Sequence, residues 1–190
     1  MIALWIVLGV GAAAACWMLV TFNQFVTLRN QGRNGWTQMD IQLKRRHDLI
    51  PNLVNTVKGA MEFEQDTLTQ VMEARNRALT ATGAGDAAVK ETQLSGVLRQ
   101  LLAVVENYPA LTSNANVRQL QEELRSTEDR IGFARQFYND IATRFNTELQ
   151  TVPTNLVGRL GGFAPFELFQ ITAEAERNAP TVNLSLRKPA

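Results

Sequence analysis

From Met1 to Leu28 the chain carries no charged side chain, and the first is Arg29. Ile2 to Val20 is almost wholly apolar, and Phe22, Phe25 and Val26 extend the run. About 20 apolar residues wound as a helix cross the hydrocarbon core of a bilayer, so this stretch predicts a transmembrane helix. Trp5 and Trp17 suit the interfacial zones, although Trp17 lies deep for that role. A cleavable signal peptide would need a basic leader and a shorter apolar run. No basic residue precedes the run here. "AAAC" at 13–16 is only a faint lipobox: Ala13 stands where a leucine-like residue belongs, and Trp17-Met18-Leu19-Val20 would be an odd mature terminus. A retained anchor over residues 1–28 is the expectation, followed by a linker over 29–35 and one domain over 36–190.

Flanking positive charge sets the orientation of such an anchor. Arg29, Arg33, Lys44, Arg45 and Arg46 follow it, against Asp40 and Asp48. The expected arrangement is single-pass, with a short N-terminus outside and the large domain in the cytoplasm. Gly9/Ala13 and Gly11/Ala15 are small residues four apart, the spacing that lets helices approach closely in lipid. These four residues are the candidate transmembrane association face.

Asn30, Gly32, Asn34 and Gly35 disfavour a rigid helix through the linker. Helical periodicity then resumes. Trp36, Met39, Leu43, Ile50, Val54, Val57 and Met61 are spaced by threes and fours, with one member missing between Leu43 and Ile50. A second helix is expected from about Asp66, with Leu68, Val71/Met72, Arg75 and Leu79 as its stripe. "TATGAGD" at 80–86 reads as a loop. A third helix presents Leu94, Val97/Leu98, Leu101, Val105 and Tyr108 and ends before Pro109. The fourth has the strongest signal: Val117, Leu120, Leu124, Thr127, Ile131, Ala134, Tyr138, Ile141 and Phe145 alternate by three and four. Spanning about 116–149, it would be roughly 50 Å long. Phe133 and Phe137 lie beside that seam and let this half meet two neighbours. Val152-Pro153 closes the helix, and 156–169 reads as a packed connecting segment over one end of the bundle. A short helix near Thr172–Arg177 and an alternating tail at Val182, Leu184 and Leu186 complete the pattern. The fold class is therefore all-α: a transmembrane helix followed by an elongated antiparallel bundle of about four main helices.

Composition removes most chemistry. The net charge of +1 provides no field for nucleic acid, and Lys44-Arg45-Arg46 is too short a basic run for one. Cys16 is the only cysteine, so no intramolecular disulfide or cysteine-based zinc site forms. His47 is the only histidine, which rules out the paired Glu-x-x-His sites of di-iron bundles and any His-Glu-x-x-His motif within one chain. Glu62, Glu64, Asp66, Glu122, Glu123, Glu128 and Asp129 read as solvated helix faces. No Gly-x-Ser-x-Gly elbow or phosphate-binding glycine pattern occurs. The expectation is no enzyme, no cofactor and no metal site.

What remains is "QLKRRHDLIPNLVNTVKG", 42–59. His47 falls in the missing slot, four after Leu43 and three before Ile50. Pro51 lacks an N–H, so the carbonyl of His47 loses its helical partner unless Pro51 opens a new helix. That carbonyl then needs another donor. Arg46, His47, Asp48 and Pro51 are the candidate inter-helix or inter-subunit polar joint, placed at a bend or break. Lys44, Arg45 and Arg46 are candidates for contact with anionic lipid or a protein partner, the former only when close to the bilayer.

Four ordered blocks resemble the LemA family of bacterial proteins: "LRNQGRNGWTQMDIQLKRRHDLIPNLVNTVKG" (28–59), "LLAVVENYP" (101–109), "LQEELRSTEDRIGFARQFYND" (120–140) and "PTNLVGRLGGF" (153–163). A family-like Glu176-Arg177…Pro180 follows. Gly35 stands where alanine is commoner, and Gly32 where a larger residue is usual. The resemblance implies one N-terminal membrane helix, an external N-terminus and an elongated helical bundle. It implies no catalytic activity, cofactor or phospho-accepting role for His47. The function expected is a non-enzymatic membrane-anchored scaffold that self-associates, with membrane lipids and further copies as partners. The alternative is an adaptor that docks an unidentified envelope or signalling protein on the basic block 44–48.

Overall fold

The computed structural model describes residues 1–61 and 64–170. The expected helix near Thr172–Arg177, the tail at Val182–Leu186, Glu176-Arg177…Pro180 and Glu62 lie outside the described residues. No strand occurs among the described residues.

Helix α1 runs unbroken over Ile2–Val57, 56 residues and therefore about 84 Å. Its apolar first part packs against almost nothing; no residue of the 18-residue window that could cross a membrane is buried. The loosened linker expected over 29–35 is not there. Gly32 and Gly35 are buried helical residues, and each lets a neighbour approach closely. A Cβ on Gly32 would lie 2.8 Å from the Phe166 ring, and one on Gly35 would lie 3.2 Å from Phe137. Glycine costs a helix only about 1 kcal/mol relative to alanine, less than such packing returns. The bend expected at 47–51 is also absent as a break, since the helix continues through Pro51.

Helices α2 (Gln65–Leu79) and α3 (Gly83–Val105) form a hairpin on the far half of α1. The chain becomes helical three residues into the expected loop at 80–86. Asp86 accepts the backbone N–H of Thr82 and pairs with Lys90 one turn on. These bonds, with the Lys90 charge, hold the Asp86 carboxyl below its ordinary range. Leu79 is exposed, and Ala78 takes the buried position instead. Pro109 begins a single turn, α4 (Pro109–Thr112), as a residue without an N–H can.

Helix α5 (Ala115–Glu148) matches its expected bounds to within one residue. Asn114 caps it by accepting the N–H groups of Asn116 and Val117. It lies antiparallel to α1, with Phe25 against Phe145 and Trp36 against Tyr138. The seam buries Ala142 rather than fully burying Ile141, because a straight helix drifts from a strict seven-residue repeat.

After α6 (Thr154–Leu160) the chain doubles back as an extended strap along α5. Asn146 clasps the backbone of Phe166 with two hydrogen bonds of 2.8 Å. Asn139, one heptad away, clasps Phe169 in the same way. Glu167 accepts the Ala84 N–H at the start of α3, and its own carbonyl accepts the Tyr138 hydroxyl. Burial and the Glu167 charge raise the Tyr138 pKa, so that hydroxyl stays a donor.

Three apolar layers stack along the rod. Phe25, Leu28, Phe145 and Val157 form the layer nearest the apolar segment. Met39, Leu43, Ala87, Ile131 and Tyr138 belong to the middle layer. Ile50, Leu53, Val57, Leu94, Leu101 and Val117 belong to the far one.

Candidate functional site

A polar layer separates the middle and far cores. On α1 it begins with two interleaved stripes. Met39, Leu43, Arg46, Ile50, Leu53 and Val57 form one, and the stripe through His47 forms the other. Both are buried because α5 and α2 pack on α1 and Glu91 of α3 closes over them, so a wider face than one stripe is covered. Arg46 is 2% exposed and His47 5%.

The Arg46 guanidinium donates to the carboxylates of Glu91 and Glu128 and to Ser95 Oγ, the last two at 2.5 and 2.9 Å. It thereby ties α1 to both α3 and α5. His47 Nε2 meets Glu91 Oε1 at 2.6 Å. A carboxylate only accepts, so Nε2 carries the proton. The carbonyl that Pro51 deprives of a partner receives Arg75 Nε at 3.0 Å, from α2.

Burial drives the ionisation of this layer. Desolvation pushes the Arg46 pKa below its ordinary value, opposed by the Glu128 charge and hydrogen bond. Desolvation first, then the Arg46 and Arg75 charges, hold His47 at about 4, with Asp48 pulling weakly the other way. The layer is therefore an ion network with a neutral imidazole. Removing one partner from such a network exposes the other to the full penalty of an unpaired buried charge.

Of the residues singled out from sequence, Arg46, His47 and Pro51 converge on this joint. Asp48 is exposed and acts on His47 only through its charge. Arg46 is not a lipid contact: its guanidinium is inside the bundle. Lys44 is exposed, and Arg45 is exposed and faces Glu123 at 3.8 Å. On a continuous helix, Lys44 stands about 22 Å beyond Arg29. Of the candidate lipid or partner contacts, Arg46 is enclosed and only Lys44 and Arg45 face solvent. Gly9, Gly11, Ala13 and Ala15 lie on the exposed apolar segment.

Glu91, Ser95, Glu128 and Arg75 complete the site, and sequence reading had assigned none of them to it. A signal existed for Glu91. Ala84, Ala87, Glu91, Leu94, Leu98, Leu101 and Val105 alternate by three and four, so an acid interrupts α3 as His47 interrupts α1. Glu128 follows Thr127, the weak position of the α5 seam.

The joint ties helices together. Ser95 Oγ is engaged by Arg46, and the imidazole is turned inward onto Glu91. A groove of about 460 Å³ between α3 and α5 reaches Ser95 and Glu128 but not the His47 ring. Among the described residues no group of three His, Cys, Asp or Glu side chains could hold a metal ion.

Comparison with known proteins follows the same residues. The chain is similar to magnetosome protein MamQ 2 of Paramagnetospirillum magneticum, 26% identical over 179 residues, covering 80% of this chain and 66% of the relative. It is 22% identical over 178 residues to magnetosome protein MamQ of Magnetospirillum gryphiswaldense, covering 80% and 65%. It is 26% identical over 156 residues to protein LemA of Metamycoplasma hominis, covering 82% and 71%. The chain thus spans just under two thirds of the magnetosome relatives' length. The profile of the LemA family matches residues 35–184, which include the polar joint, the α5 seam and the strap, and the chain belongs to the LemA family.

Proposed function

We propose that this protein is a non-enzymatic scaffold, anchored in the bacterial inner membrane with its bundle in the cytoplasm, that assembles by side-to-side association of copies. One observation carries the reading. Phe133, Phe137 and Ile41 are 75%, 45% and 57% exposed and line one apolar groove between α5 and α1. Side chains that large are normally covered when clustered. The groove lies on the flank of a rod whose axis continues the membrane segment without a joint. Two copies anchored by that helix hold the groove at the same height. Exposed Asp40 and Asp129 beside exposed Arg130 offer opposite charges for the rim of such a contact. Gly9 and Gly11 have open space around them, which supports continued contact within the bilayer. The enclosed imidazole and the absence of any reaction in the relatives' names support a non-enzymatic role.

The test is mass photometry of full-length protein extracted in polymer-bounded native membrane discs. Multimers that fall apart on Phe133→Glu or Ile41→Glu support the reading; a wild-type monomer overturns it. The exposed Lys44 and Arg45 favour the adaptor as a second reading. It requires a monomer that captures a different protein, with capture lost on Lys44→Glu.

A further inference from the structure

Residues 149–166 contain a single charge, Arg159, and no acid. Within them Val152, Leu156 and Leu160 recur every fourth residue and are 75%, 57% and 81% exposed. A surface this apolar at the foot of a bundle is expensive in water.

Its position supplies the occupant. Ile2–Val20 spans about 28 Å as a helix, close to the roughly 30 Å hydrocarbon core, so the apolar boundary falls near Val20 to Phe22. Helix α6 sits at that level. Leu160 and Val157 line an apolar hollow shared with Ala15, Met18 and Phe22 of α1. Phe163 packs on Phe22 and Phe25, with ring centroids 5.5 and 5.1 Å apart. Gly161 is wedged so closely that a Cβ would lie 3.1 Å from Phe22. Gly158 makes the same approach to Leu149 and Phe25. The segment is thereby held against the exit of the apolar helix. Its cation, Arg159, is exposed, and Arg29 lies over the Phe163 ring at 5.1 Å. Glu148, which accepts from Gln24 at 3.5 Å, is the acid at this level, and the exposed apolar side chains themselves are flanked by cations, as at the boundary between acyl chains and anionic headgroups.

We propose that α6 is a second membrane contact. Val152, Leu156 and Leu160 enter the interface of the leaflet from which α1 emerges, while Arg29 and Arg159 meet lipid phosphates. A single helix leaves a rod free to spin and tilt; a foot beside it sets both. This inference rests on reading Ile2–Val20 as a span.

The experiment uses full-length Cys16→Ala protein in vesicles of phosphatidylethanolamine and phosphatidylglycerol. Single nitroxide labels are placed through Leu8→Cys, Leu156→Cys, Leu160→Cys and, at the far end, Ser113→Cys. Oxygen partitions into lipid and a nickel chelate into water. The expected oxygen-to-nickel accessibility ratio at 156 and 160 is several-fold above that at 113 and below that at 8. A ratio at 160 equal to that at 113, with a hydrocarbon ratio at 8, overturns the foot and leaves the span intact. An aqueous ratio at 8 overturns the span and the foot with it. Protection at 160 that vanishes on dilution into excess lipid assigns the contact to a second copy and overturns the lipid assignment.

Discussion

Arg75 Nε donates a 3.0 Å hydrogen bond to the carbonyl of His47, the acceptor that Pro51 leaves without a partner in its own helix. The proline that removes one bond from α1 leaves the acceptor that a side chain of α2 satisfies. The buried carbonyl is satisfied, as such groups must be. The satisfying donor comes from another helix, so α1 keeps its path while gaining a tertiary constraint.

That pairing is testable by a double-mutant cycle. Pro51→Ala returns an N–H to the helix and makes the Arg75 bond redundant. Arg75→Ala should cost about 1–2 kcal/mol in the wild-type background and clearly less beside Pro51→Ala. The measurement is chemical denaturation of the four proteins. Equal costs in both backgrounds would show that Arg75 does not act through this carbonyl.

The two acids on Arg46 should be unequal. The Glu91 side chain is 5% exposed and that of Glu128 is 54%. Glu91→Leu leaves the guanidinium of Arg46 buried without its enclosed partner and should cost about 3–5 kcal/mol. Glu128→Gln keeps an acceptor at the water-facing side and should cost about 1 kcal/mol or less. Comparison of their thermal midpoints decides the point, and the reverse ranking would remove Glu91 from the centre of the joint.

Stability should fall as the solution is acidified through the histidine range. In the unfolded chain His47 takes a proton near its ordinary value of 6.5, while the folded protein resists until about 4. The unfolded state therefore binds more protons between these values, and folding stability is fully present above them and lost as pH falls. A displacement that size corresponds to roughly 3 kcal/mol. His47→Gln retains a donor for Glu91 but cannot titrate. Its denaturation midpoint should lose less than the wild type between about pH 7 and about pH 4. Identical slopes would mean that His47 is not the titrating group.

The helical pattern was legible wherever apolar residues recur on one face. The α5 seam, the α3 stripe and the slot occupied by His47 all follow from spacing alone. Glycine misled at 29–35 because its local penalty is small and the approach of Phe166 and Phe137 is a tertiary gain. Arg46 misled for a related reason. Beside Lys44 and Arg45 it reads as surface charge, yet its guanidinium is enclosed between acids of α3 and α5. Its acids lie 45 and 82 residues away, and no local pattern pairs them.

By itself the sequence determined the all-α class, a segment long and apolar enough to cross a bilayer, the faces that turn inward and the family. Each of these depends on periodicity, length or residue identity, which are local properties. Tertiary structure alone decided that the apolar segment and the first bundle helix are one rod. It also decided that Glu91 neutralises Arg46 and receives His47, that Arg75 answers Pro51, and that α6 returns to the exit of the apolar helix. These depend on which distant side chains meet in a space where burial makes an unpaired charge or carbonyl costly. That cost selects a single arrangement from the many that helix periodicity permits.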